Sequence, residues 1–261
     1  MPNIDKHAPG DFCWVELGTT DQNAAKKFYT SLFGWAYQDF PMGPDASYTM
    51  FNINGRNTGA AYTLMKEQRA QGVPPHWMIF IATENADASA KKAEQLGGKV
   101  LKAPMDVFDV GRMAVIQDPT GAVFCVWQAR SHPGFGVEGV DGTFCWGDLD
   151  TPDRERAGEF YSKLFGWELG KEDEDPAHAY WHIKSGEKFI GGMPPTGNRP
   201  KGPAHWMAYF QVSDCDAAAK KARELGAKLY LPPTSIEDLR FSILADPQGA
   251  AFAVVKSSRK A

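Results

Sequence analysis

The sequence predicts an α+β protein of two tandem domains, each made of paired βαβββ modules that form a curved eight-stranded sheet around a cleft. Three observations lead there. First, FCWVELGTTDQNAAKKFYTSLFGW at Phe12–Trp35 is nearly rewritten as FCWGDLDTPDRERAGEFYSKLFGW at Phe144–Trp167, placing Trp14 over Trp146 and Asp21 over Asp153 at an offset of 132. Second, PPHWMIF, KKAEQLGGKV and QDPTGAVFCV return in the same order as PAHWMAYF, KKARELGAKL and ADPQGAAFAV, at an offset that drifts only to 128. A few loop deletions account for that drift. Third, each half divides again into two strand–helix–strands units. One such unit cannot cover both faces of its sheet, whereas two side by side give helices outside and a cleft inside.

Taken in order, FCWVELGTT reads as a strand with Trp14, Glu16 and Gly18 on one face and Cys13, Val15 and Leu17 on the other. Asp21 is a suitable N-cap for a helix through Leu32, whose Ala24, Ala25, Phe28, Tyr29 and Leu32 form an apolar stripe, with Gly34 as a left-handed stop. Strand-like pieces follow at Tyr48–Ile53 and Thr58–Thr63, separated by a turn at Asn54-Gly55. A strand from His76 to Ala82 then leads to a helix that ends at Leu96 before Gly97-Gly98. Lys99–Ala103, Arg112–Gln117 and Ala122–Gln128 complete the half, with a turn at Asp118–Gly121. This divides the chain into a tail (1–10), a first domain (11–130, modules 11–65 and 74–130), a Gly-rich linker (131–142) and a second domain (143–261, modules 143–195 and 203–257).

Length and composition agree: 261 residues suit two domains, and 43% hydrophobic with 23% charged residues is ordinary for a globular chain. A net charge of −4 gives no electrostatic footprint for nucleic acid or an anionic membrane. No apolar run reaches membrane-spanning length and MPNIDKHAPG has no apolar signal core, so cytoplasm is the expected location. Cys13, Cys125, Cys145 and Cys215 form no zinc-like spacing and are expected to be reduced core thiols. There is no nucleophile elbow, Walker loop or dinucleotide fingerprint. The acidic KEDEDP at Lys171–Pro176 reads as a solvated loop.

The chain resembles the vicinal oxygen chelate superfamily of glyoxalase I, bleomycin resistance proteins and extradiol dioxygenases. The resemblance is carried by D-x6-FY-x2-LFGW at Asp21–Trp35 and Asp153–Trp167, HWM at His76–Met78 and His205–Met207, A-x2-LG at Ala93–Gly97 and Ala222–Gly226, and DP-x-GA at Asp118–Ala122 and Asp246–Ala250. It spans residues 11–257, and the tandem form is similar to the mycobacterial culture-filtrate antigen group. The resemblance implies two glyoxalase-like domains. It also implies where a metal would sit in members that use one: the cleft faces of the first strands and the end of the last. Here those positions are Trp14 and Met78 with Cys125, and Trp146 and Met207 with Ala253. Indole and methyl do not ligate, thioether is a poor ligand for Zn, Fe(II) or Mn, and one thiolate is not a site. No metal or other cofactor is therefore expected.

What remains for chemistry is duplicated. Glu16 and Asp148 lie beside the two tryptophans on the cleft face, either as general bases of raised pKa or as structural carboxylates. His76 and His205 share that face nearer the rim, as acid–base partners or as satisfied strand-end histidines; His182 has no counterpart in the first half. Arg112 and Arg240, six residues before each DP-x-G aspartate, could grip an anionic substrate or pair structurally. Trp127, Trp14, Tyr48 and either Met50 or Phe51 line a pocket for a small apolar or aromatic molecule, unless the rings simply fill the barrel. His7, His132 and His178 receive no role. Three functions stay open: a metal-independent small-molecule binding protein or enzyme, a metal-dependent lyase or dioxygenase with relocated ligands such as His76 with Glu16, and a structural protein with filled barrels. A single chain completes its own clefts, which suits a monomer and leaves a dimer open.

Overall fold

The computed structural model describes residues 4–44, 46–171, 179–196 and 202–257. The first half runs β1 (Phe12–Thr19), α1 (Gln22–Phe33), β2 (Ala36–Gly43), β3 (Ala46–Ile53), β4 (Arg56–Thr63), α2 (Lys66–Ala70), β5 (His76–Ala82), α3 (Ala86–Gln95), β6 (Lys99–Val107), β7 (Gly111–Gln117) and β8 (Val123–Ala129). The second half runs β9 (Phe144–Asp150), α4 (Arg154–Phe165), β10 (Glu168–Lys171), β11 (Trp181–Ser185), β12 (Lys188–Met193), β13 (His205–Gln211), α5 (Cys215–Glu224), β14 (Lys228–Ile236), β15 (Leu239–Ala245) and β16 (Ala251–Ser257). Each half forms one eight-stranded sheet, in the order β2-β3-β4-β1-β5-β8-β7-β6 and β10-β11-β12-β9-β13-β16-β15-β14. The two modules of a half meet at an antiparallel seam between their first strands, β1 with β5 and β9 with β13.

Local chemistry sets the helix ends as the sequence implies. The Asp21 carboxylate accepts from Ala24 N–H at 2.9 Å, and Gly34 ends α1 at φ 73°. Asp153 and Gly166 do the same for α4. The edge strand β2 has no counterpart among the sequence-predicted pieces. All eight of its residues are exposed, so it shows no inside–outside alternation. Most of the acidic stretch 171–176, and His178, lie outside the described residues.

The helices are outside their own sheet but not outside the molecule. α1 packs on α5 and α3 on α4, so the helical layers of the two halves face each other and a single core runs through both. Tyr29 of α1 donates to Asp246 at 3.0 Å, and Tyr161 of α4 donates to Asp118 at 3.0 Å. Trp35 Nε1 donates to Gly142 O at 3.0 Å, and Trp167 Nε1 to Gly10 O at 2.8 Å. The repeated FY, LFGW and DP-x-G motifs thus build the joint between halves. The two clefts open away from it.

Candidate functional site

Strand register assigns the cleft faces. In the β1–β5 ladder Trp14 stands opposite Phe80, Glu16 opposite Met78 and Gly18 opposite His76. On the neighbouring strands Ala60 and Tyr62 pair with Glu16 and Gly18, Tyr48 and Met50 pair with Tyr62 and Ala60, and Cys125 pairs with Phe80. Paired residues share a face, so these side chains and Trp127 line the first cleft. Phe51 and Trp77 take the helical face, where Phe51 is fully buried and Trp77 Nε1 donates to Tyr29 Oη at 3.0 Å. Of the two sequence alternatives, Met50 is the cleft residue.

Glu16 is the polar centre of that cleft. Tyr48 Oη donates to its Oε2 at 2.8 Å, and Trp14 Nε1 donates to Tyr48 Oη at 3.3 Å. Burial among apolar walls pushes the carboxyl up to about 7, against the opposing pull of the Tyr48 hydrogen bond and the Lys102 ammonium. Burial also pushes the Cys125 thiol well up, so it is neither a nucleophile nor a ready ligand. His76 is tied through Nδ1 to Pro74 O at 2.8 Å, and burial lowers its pKa.

The inner end of the first cleft is filled. Trp14 is 4% exposed and Trp127 6%, and the 131–142 linker straps across them. His132 stands edge-on to Trp14 at 4.7 Å, Phe135 lies 5.6 Å from it, and Trp127 Nε1 donates to His132 O at 3.0 Å. Phe135 N–H donates to Cys13 O and Gly136 N–H to Asn57 O. Burial drops the His132 imidazole to about 4. The outer end, with Glu16, Tyr62, Met78 and His76 half-buried, remains accessible.

In the second cleft Asp148 is bound by more donors. Trp146 Nε1 donates to it at 2.9 Å, and the Tyr180 and Tyr209 hydroxyls donate as well. Burial raises its pKa against these three hydrogen bonds. Met207 lines this cleft opposite Asp148, and His182 packs on Trp146 at 5.8 Å and on Tyr180 at 4.9 Å. His205 is exposed at the rim, opposite Asp150, with Nδ1 against Pro203 O at 3.2 Å. Tyr180, Tyr209 and Tyr62 were missed by the sequence reading. The signal for Tyr180 was available, because it stands at the repeat offset from Tyr48.

Arg112 and Arg240 are not cleft residues. Arg112 pairs with Asp87 at 2.6 Å and Asp106 at 3.0 Å, and Arg240 with Asp216 at 2.5 Å. Each lies on the helix side of its strand, one position off the cleft register, and clamps the start of α3 or α5. The relocated metal site also fails on donors. The Glu16 and His76 side chains have no third companion, and among the described residues no three His, Cys, Asp or Glu side chains converge to hold an ion. The residues at the superfamily's ligand positions do not fit a metal in either half.

Comparison with known proteins places the chain. Residues 12–126 match the Glyoxalase/Bleomycin resistance protein/Dioxygenase superfamily model, and residues 148–255 match a glyoxalase-like domain model. The chain belongs to this superfamily. It is 40% identical over 260 residues to the Mycobacterium tuberculosis protein CFP32, which carries a provisional glyoxylase name, with 98% of both chains covered. It is 36% identical to the anthracycline biosynthesis protein DnrV of Streptomyces peucetius, covering 97% of this chain and 95% of that one. Among solved structures, the Mn(II)-bound glyoxalase from Novosphingobium aromaticivorans aligns with a TM-score of 0.67 at 17% identity, covering 97% of this chain and 83% of that one. The 2,3-dioxygenase LapB from Pseudomonas sp. KL28 aligns at 0.68 and 11%, covering 98% and 95%. These two share the superfamily fold with this chain. No described helix is long and apolar enough to cross a membrane.

Proposed function

We propose that this superfamily member works without the usual metal, takes a flat, apolar, aromatic molecule into its clefts, and uses Glu16 as the acid–base group of the first one. The observation that carries this reading is the Glu16 carboxyl: buried among apolar side chains, held by Tyr48, and raised to about 7, where both protonation states are populated at neutral pH. Tyr48, Tyr62 and Met78 wall the accessible outer end of the first cleft, Trp14 and Trp127 lying beneath the linker strap, and Trp146, Met207 and His182 line the second. His76 is the polar neighbour of Glu16 at the first rim; Asp148, and His205 at its rim, hold the matching places in the second. DnrV is named for anthracycline biosynthesis, and a planar fused-ring skeleton suits such walls. Each cleft draws its strands from one chain, so a monomer is the working unit.

The test is elemental analysis with native mass spectrometry on protein purified without chelator or immobilised nickel. The expected result is no stoichiometric transition metal, and retention or uptake of an apolar aromatic compound. Stoichiometric zinc, iron or manganese overturns the reading.

A further inference from the structure

The two clefts are duplicates in register but not in cover. Over the inner end of the first, His132 stands edge-on to Trp14, Phe135 N–H donates to Cys13 O at 2.8 Å and Gly136 N–H to Asn57 O at 2.9 Å. The positions under that strap, Trp14, Cys13 and Asn57, become Trp146, Cys145 and Phe189 in the second half. There Trp146 and Cys145 are only half-buried, and Phe189 is 55% exposed with its ring 5.3 Å from His182. Trp127, which fills the first cleft opposite Met113, is replaced by the smaller Val255 opposite Phe241.

The charge balance differs as well. Glu16 has a cation of its own, because the Lys102 ammonium on β6 acts on it and on Cys125. Lys102 pairs with Val115, and the matching pair in the second sheet is Leu231 with Ile243, so the ammonium has become a leucine. Asp148 is 6% exposed and accepts from the neutral donors Trp146, Tyr180 and Tyr209. Among the described residues, the one basic side chain that acts on it is His182. A carboxylate offers about four acceptor sites, so three donors leave one open. Asp150, two residues on, adds a second carboxylate to the same face.

Aromatic rings surround this acid. Trp146 and Tyr180 bond it directly, His182 packs on both, and the Tyr209 ring lies 6.3 Å from Phe241. A packed barrel would cover these rings, yet Trp146, Tyr180, Phe241 and the neighbouring Met207 are each half-buried. The faces of Trp and Tyr attract a cation through the ring quadrupole, and a buried carboxylate among them fixes where that charge comes to rest. Neutral donors alone leave the Asp148 charge uncompensated in an apolar setting, which costs free energy until a cation arrives.

We infer that the second cleft selects a cation: a protonated amine carried on a flat aromatic skeleton, its ring lying on Trp146 and its ammonium bonded to Asp148 between the Tyr180 and Tyr209 rings. The inference rests on the binding reading above and gives the second cleft a ligand chemistry of its own. The ring takes the place that the linker takes over Trp14 in the first cleft. The ammonium supplies the charge that Lys102 supplies to Glu16 and that Leu231 cannot. Specificity follows from the same groups, because a neutral analogue leaves the acid uncompensated and an anion is repelled by Asp148 and Asp150 together.

Two probes of one shape test this: 2-naphthylmethylamine, which is protonated at pH 7, and 2-naphthylmethanol, which is neutral. Titration calorimetry on the full chain should show the amine binding about tenfold tighter than the alcohol, or better. Asp148→Asn should remove that preference and leave the alcohol bound. Leu231→Lys, which installs the missing ammonium at a half-buried position, should remove it without touching the acid. Thermal melts establish which variants are folded, and Leu231→Lys decides the matter if Asp148→Asn is not. Amine and alcohol binding alike to the wild-type chain, or a preference that survives in either folded variant, overturns the inference and leaves the binding reading standing. Failure of the wild-type chain to bind either probe overturns both.

Discussion

Tyr29 in the first half hydrogen-bonds Asp246 in the second at 3.0 Å, and the duplicated pair, Tyr161 with Asp118, closes the same contact in the other direction. Each tyrosine also accepts from a tryptophan of its own half, Trp77 or Trp206. Each aspartate's other oxygen accepts backbone N–H bonds within its own DP-x-G turn, such as Ala122 N–H on Asp118 and Ala250 N–H on Asp246. The duplication is therefore structural as well as historical: a turn in one half positions a carboxylate for a helix in the other. Lys92 reaching Leu164 O and Lys221 reaching Leu32 O add a second reciprocal contact at the helix C-termini.

This joint predicts how the molecule unfolds. Removing the Tyr29 hydroxyl takes a hydrogen bond from one oxygen of the buried Asp246 carboxylate, whose other oxygen keeps its backbone donors, and from a buried indole N–H, so Tyr29→Phe should cost about 1–3 kcal/mol. Tyr161→Phe should cost a similar amount and the double variant close to the sum. Chemical denaturation followed by fluorescence should show one cooperative transition for the wild-type chain. Two well-separated transitions would contradict a core shared between the halves.

The linker strap makes a second prediction. Gly134 sits at φ 116°, and a Cβ there would lie 2.1 Å from Cys13 O, which is backbone and cannot step aside. Gly134→Ala should displace the strap, expose Trp14 and Trp127, and shift tryptophan emission to the red. The expected loss is about 2–3 kcal/mol, the scale of an overpacked core position. Unchanged emission would mean that the strap does not shield Trp14.

Much of this architecture was legible in the residues. Strict alternation in FCWVELGTT put Trp14, Glu16 and Gly18 on one face, and the structure keeps them there because β1 is central and its pairing leaves one register. Strand β2 was not legible, since an exposed edge strand has no buried face to write a pattern. The arginines misled for a related reason. A one-residue change in register moves a side chain to the other face, and Arg112 falls one position from Met113, which pairs with Trp127 in the cleft. The joint between halves was invisible because a helix's apolar stripe shows that it is covered, not what covers it. Tyr62 escaped notice because its place on the cleft face follows from its pairing with Gly18, a relation that exists only once β4 lies parallel to β1.

The placement of the arginines can itself be checked. Arg112 bridges Asp87 and Asp106 on the surface, and Arg240 clamps Asp216. Arg112→Ala and Arg240→Ala should leave ligand affinity unchanged and lower stability slightly, by an amount that shrinks in high salt. Affinity that falls with either substitution, and falls further for an anionic ligand, would return these residues to the cleft mouth.

Glu16 gives the sharpest pH prediction. Its carboxyl is raised from 4.5 to about 7 in the folded chain, mainly by burial. A raised acid contributes its full stability below its unfolded value and loses it as pH rises through the folded one, because the ionised form is the one that burial penalises. The wild-type protein should therefore weaken between about pH 5 and 8 by roughly 2–3 kcal/mol from this group. Glu16→Gln keeps an acceptor for Tyr48 and removes the ionisation. The variant should match the wild-type protein near pH 5 and exceed it at pH 8, while losing proton-transfer activity. Denaturation curves of both proteins across that range measure the difference. Parallel pH profiles would show that Glu16 titrates as an ordinary solvated carboxylate, and that its surroundings are not arranged for proton transfer.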